Sequence, residues 1–98
     1  MDLDVHHDPQ SHKFYATVDG HEAKIEYAES GSGDARVLDL RHTFVAPELR
    51  GRGVAQALVA RTLELARQGG FQVIPTCPFI KSYLAGHPAA GEGIVAQR

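Results

Sequence analysis

Apolar and polar residues alternate through two neighbouring stretches near the start of the chain. Phe14, Ala16 and Val18 alternate with Tyr15 and Thr17; beyond Asp19-Gly20, Ala23, Ile25 and Tyr27 alternate with Glu22, Lys24 and Glu26. A period of two belongs to a strand with one covered face. Asp-Gly between such runs predicts a two-residue hairpin, because a type I′ turn needs positive φ at both central residues. Ser30 to Asp34 reads as a longer loop, and Arg36 to Val45 as a third strand. A strict period of two sets Leu38, Leu40, His42 and Phe44 on one face of that strand, and Val37, Asp39, Arg41 and Thr43 on the other. The first of these faces is apolar except for a histidine.

Beyond Pro47 the period becomes helical. Across Val54 to Gln68, residues Gln56, Ala60, Glu64 and Gln68 form a polar face, against a broad apolar one made by Val54, Ala55, Leu58, Val59, Thr62, Leu65 and Ala66. Gly69-Gly70 supplies the stop, with Arg67 in the last turn, where a cation is favoured. Phe71 to Thr76 reads as a short buried strand. Cys77-Pro78 starts a second helix, in which Phe79 and Tyr83, and Ile80 and Leu84, pair at i,i+4 before Gly86 and Pro88 close it. Residues 1–11 lack periodicity and read as a flexible arm, and no element is predicted from Ala89 to Arg98. The fold class is α/β (α+β): an antiparallel meander, a right-handed β-α-β crossover with parallel strands, and a C-terminal helix.

Length and composition narrow this picture. A chain of 98 residues is expected to form one domain, 1–98, with one core. Its single Cys excludes an intramolecular disulfide and suggests a reducing, cytoplasmic setting. No leader-like or membrane-spanning apolar run is read from the sequence. The net charge of −2 hides a polarity: residues 1–39 carry nine acids and three bases, whereas residues 40–98 carry seven bases and three acids. A polarised chain of this kind suits an anionic partner for its basic half, although acids solvating a hairpin produce the same pattern.

The basic half centres on Arg50-Gly51-Arg52-Gly53-Val54-Ala55, between a strand and a helix start. Free N–H groups and the helix dipole attract anions there; glycines let a phosphate approach, and arginines add forked donors. A Walker loop lacks its Lys-Ser or Lys-Thr, and a dinucleotide fingerprint lacks its third glycine, where Gln56 stands. The segment instead resembles the coenzyme A signature of the GNAT N-acetyltransferase superfamily, in which Arg or Gln precedes Gly by three positions and Gly or Ala by five; here these are Arg50, Gly53 and Ala55. His42-Thr43, Pro47-Glu48-Leu49, Cys77-Pro78-Phe79 and His87-Pro88 extend the resemblance over roughly residues 12–88, to the minimal single-domain branch.

The resemblance implies a small GNAT-like mixed sheet and acetyl-CoA as cofactor. It also implies an amine acceptor that the sequence does not identify, either a small amine or a protein Lys or N-terminus. Val45, Arg50, Gly51, Arg52, Gly53, Val54 and Ala55 become the expected cofactor-binding residues, with a backbone donor near Val45 for the thioester carbonyl. His42 is a candidate base for the amine proton, against a structural histidine. Cys77, a predicted N-cap whose thiolate a helix start favours, stands between three roles: acetyl-carrying nucleophile, acyl-pocket lining and small buried hydrophobe. Tyr83 is weighed as an acid for the leaving thiolate against packing with Phe79, and Lys81 as a phosphate contact against an exposed lysine. His6, His7 and His12 lack zinc-ligand spacing, so no metal is expected. Neither nucleic acid nor membrane is an expected partner, and a monomer or weak homodimer is. The alternative function is a non-catalytic acyl-CoA-binding or interaction module.

Overall fold

The computed structural model describes residues 3–31 and 36–96, and most of the predicted Ser30–Asp34 loop lies outside them. Among the described residues, five strands form one sheet in sequence order: β1 (His6–Asp8), β2 (Lys13–Val18), β3 (His21–Ser30), β4 (Val37–Val45) and β5 (Gln72–Pro75). Helix α1 (Val54–Gln68) links β4 to β5, and α2 (Pro78–Gly86) follows. The first four strands are antiparallel and β4 runs parallel to β5. The mixed sheet and its single crossover match the expected class.

The β2–β3 turn forms as the Asp-Gly pair requires, with φ of 51° at Asp19 and 79° at Gly20. Helix α1 has the predicted bounds and buries Val54, Leu58, Val59, Thr62, Leu63 and Ala66. Phe14, Ala16, Ala23, Ile25, Tyr27, Leu38, Leu40 and Val73 meet this surface in one core that also takes in Ile80 from α2. The opposite face of β2 and β3 bears Lys13, Tyr15, Thr17, Glu22, Lys24 and Glu26, none of them buried. The sheet therefore has helices on one side and a polar open face on the other.

Two expectations are corrected. The arm at residues 1–11 contains β1, an edge strand whose His7 stacks on Phe14 at 4.2 Å between ring centroids. His-His-Asp has little β-propensity, so aromatic packing rather than local preference holds it. The tail also gains structure: a 3-10 turn (Pro88–Gly91) precedes a parallel bridge between Val95 and Val73, and Arg67 donates to the carbonyls of Ala90 and Glu92.

The second correction concerns β4. Pairing steps from Glu26↔His42 to Tyr27↔Leu40, so Arg41 is an extra residue in a β-bulge. One inserted residue reverses the side-chain alternation beyond it. Thr43 and Val45 consequently share the helix-side face with Ile25 and Ala23, while His42 and Phe44 join Glu26 and Lys24 on the open face. The single apolar face expected for Leu38, Leu40, His42 and Phe44 does not exist. His42 is exposed, and Phe44 is 36% exposed.

Candidate active site

β4 and β5 pair only from Val37 to Leu40. The β5 chain then carries prolines at 75 and 78, neither with an N–H to donate, and the last link is Cys77 N–H to the Leu40 carbonyl at 2.9 Å. From Arg41 onward, among the described residues, no strand lies beside the outer edge of β4. Ala46 N–H donates to Glu22 at 3.1 Å, so antiparallel alternation directs the backbone groups of His42 and Phe44 toward β3 and those of Thr43 and Val45 toward the gap. Arg50 confirms the direction, since its Nε donates to the Val45 carbonyl at 3.3 Å.

The turn leading into α1 closes one end of this gap. Gly51 and Gly53 have φ of 78° and 76°, which a side chain would strain, and a Cβ at either would meet no atom within 4 Å. Gly53 caps α1 without a side-chain hydrogen bond, and the first backbone bond of the helix runs from Ala57 N–H to the Gly53 carbonyl. The N–H groups of Val54, Ala55 and Gln56 thus have no carbonyl of their own helix to bond. They face a cavity of about 390 Å³ that Val45, Arg50, Gly51, Gly53 and Phe79 also line. Unpaired donors, open space over two glycines and an arginine fit a diphosphate. Arg52 is not part of this lining; it bonds Asp19 on the β2–β3 turn at 3.0 Å.

A second cavity of about 330 Å³ shares Val45, Arg50, Ala55 and Phe79 with the first and adds His42, Thr43 and Phe44. Residues from both sheet faces line it, as they must where the edge of β4 is free. Phe44 and Phe79, the large apolar residues exposed among the described ones at 36% and 39%, both border it.

Cys77 sits beside the gap, only 7% exposed, and caps α2 as predicted. Its Sγ lies 3.4 Å from Thr43 Oγ1. Burial pushes the thiol pKa up, but hydrogen bonds from the Thr43 hydroxyl and from the backbone N–H groups of Ile80, Phe79 and Thr43 outweigh it and leave the value lowered. The bulge separates this thiol from His42, which projects from the opposite face. The two candidate residues Cys77 and His42 are therefore not in contact; Thr43 is the neighbour of Cys77. The sequence did not pair Thr43 with Cys77, because its alternation assigned Thr43 to the other face.

Phe79, expected to pack against Tyr83, instead borders both cavities, whereas Tyr83 stacks on His87 at 4.2 Å. Lys81 is exposed on α2. His6, His7 and His12 spend their rings on Tyr15, Phe14 and Tyr27. Among the described residues no three His, Cys, Asp or Glu side chains group as metal ligands, and no helix is long and apolar enough to cross a membrane.

The family model described as GCN5-related N-acetyl-transferase matches residues 13–92, which take in the sheet from β2 onward, the turn and both helices. The chain belongs to the GCN5-related N-acetyltransferase family. Within it, the chain is similar to Protein NATD1 of Mus musculus, 33% identical over 86 residues that cover 86% of this chain and 76% of the mouse protein. It is also similar to Protein NATD1 of Gallus gallus, at 31% over 88% of this chain and 77% of that protein. Homo sapiens Protein NATD1 is 31% identical over 86% and 74%, respectively. An N-acetyltransferase-type function follows at the level of the family.

Proposed function

We propose that the joined cavities bind acetyl-CoA and that the chain transfers the acetyl group to an amine. The observation that carries this reading is the meeting, in one groove, of the unbonded α1 N–H groups and the free edge of β4. Arg50, Gly51, Gly53, Val54 and Ala55 hold the diphosphate. Bound acetyl-CoA supplies an activated thioester. The Val45 N–H, directed into the gap, is the donor for the thioester carbonyl, a role that stabilises charge developing on that oxygen. His42 receives the proton of an amine arriving from the open face, the side of the sheet on which its imidazole stands.

Cys77 touches Thr43 beside the gap and lines neither cavity. A cysteine that carried the acetyl group through a histidine base would need that base within hydrogen-bond reach, and the sheet separates the two side chains. Direct transfer is accordingly the favoured route. Calorimetry with acetyl-CoA tests the proposal: saturable binding is expected, weakened about tenfold in Arg50→Ala, the loss of one charge-assisted hydrogen bond. Absent binding, or the same affinity in that variant, would sink it. In parallel, Cys77→Ala should still transfer acetyl to an amine panel, and a cysteine-linked acetyl group trapped by acid quenching would refute the direct route.

A further inference from the structure

Lys24 belongs to the open face and to no part of the machinery above. It pairs directly with Phe44 across β3 and β4, one residue from the Val45 donor. Its Nζ lies 5.9 Å from the Phe44 ring centroid, so the ammonium rests beside an aromatic ring of β4 rather than out in solvent. Glu26 and Glu22 hold the ammonium at 3.8 Å and 3.9 Å, and the side chain is only 27% exposed. Phe44, over which this ammonium rests, is itself a wall of the cavity that reaches Thr43 and Val45. An amine with its own aromatic and carboxylate site thus stands next to Phe44, a wall of the transfer cleft.

From this juxtaposition we infer that Lys24 is an internal acetyl acceptor, modified by its own chain. The inference rests on the acetyl-CoA reading of the cleft and names an acceptor for it. The Lys24 ammonium first loses a proton, carried by water to His42, its diagonal neighbour on the same face at about 7–8 Å between strands, with Glu26 directly opposite His42. The freed lone pair on Nζ bonds the thioester carbonyl carbon, the carbon–sulfur bond breaks, and coenzyme A leaves as a thiolate. The second proton shed by the nitrogen neutralises that thiolate, leaving an amide on Lys24 and a free thiol on the coenzyme. The new amide has no charge, so its ion pairs with Glu22 and Glu26 are lost and the side chain is released from Phe44.

The chain has three lysines, which makes the test selective. Lys13 lies on β2, ion-paired to Glu22 at 3.3 Å and farther from the gap, and Lys81 is exposed on α2. Purified protein is incubated with acetyl-CoA and mapped by peptide mass spectrometry. Lys24 should be acetylated at least about tenfold faster than Lys81, reflecting the effective concentration of a held nucleophile. The fractional rate should not change on dilution of the protein. A separate readout needs no transfer: desulfo-coenzyme A, which has no sulfur to carry an acyl group, should slow labelling of Lys24 by an amine-reactive ester relative to Lys13. Acetylation ordered by exposure, with Lys81 ahead, overturns the inference, as does a fractional rate proportional to protein concentration. If desulfo-coenzyme A and acetyl-CoA bind and free amines are acetylated while Lys24 stays unmarked, the inference fails and the cleft reading survives. If neither binds, both fail.

Discussion

At the scale of single residues, Thr43 changes the account of the site. Its hydroxyl and its backbone N–H both reach the Cys77 thiol, and with two N–H groups from the start of α2 they overcome the opposing effect of burial. The thiolate is thus favoured by a neighbour on β4, not by an imidazole. The rate of Cys77 alkylation by iodoacetamide, followed against pH, should have its midpoint below the ordinary 9.0 of a thiol. Thr43→Val should raise that midpoint and Thr43→Ser restore it. A midpoint unmoved by Thr43→Val would show that the hydroxyl has no part in it. The residue types Cys77, His42 and the glycines at 51 and 53 were legible in the sequence, because each carries its chemistry or its φ preference with it. Which of them touch was not, since contact depends on a bulge that no local pattern records.

Elements separate in the same way. The β2–β3 hairpin and α1 follow from signals within a few residues: a turn dipeptide, a period and a pair of terminal glycines. β1 follows from none of these, because what holds it comes from far along the chain. His7 stacks on Phe14, meets Phe71 edge-on and shares a 2.5 Å hydrogen bond with the Tyr27 hydroxyl. Burial lowers the His7 pKa below 6.5, the positive charge of Arg36 adds to this, and Glu29 and Asp8 oppose it. The folded state therefore favours neutral His7, and the unfolded chain takes up a proton first as the pH falls. The stability that β1 draws from this residue is complete above the unfolded value of 6.5 and is lost as the pH drops through that value toward the lower folded one. Urea midpoints measured between pH 7.5 and 5 should fall for the wild type, and the fall should be smaller in His7→Phe, which keeps the ring stack and cannot titrate. Equal slopes in the two proteins would assign the acid sensitivity elsewhere.

For the whole molecule, the opposed charges of the two halves are brought against each other by the fold. Arg52 of the basic turn is tied to Asp19 of the acidic hairpin at 3.0 Å, and Glu48 beside the turn lies 3.6 Å from His21. The field at the cavity is thus weaker than the sequence polarity implies, and Arg52 is turned away from the space where the diphosphate would lie. Removing the Asp19 charge frees that guanidinium for the cavity, which its neighbours Gly51 and Gly53 line. Asp19→Asn is the suitable change, because the position has a φ of 51° and asparagine tolerates the left-handed region as well as aspartate does. Acetyl-CoA affinity should rise roughly two- to fivefold, the scale of one exposed ion pair. Because both charges are more than two-fifths exposed, the gain should shrink as ionic strength increases and the Debye length falls to about 3 Å at 1 M salt. Calorimetric titrations of the two proteins over a salt series distinguish the outcomes. Convergence at high salt identifies a competing carboxylate; a difference that persists would mean that Asp19 acts through the shape of the hairpin, and no difference at any salt would mean that Arg52 does not reach the cofactor.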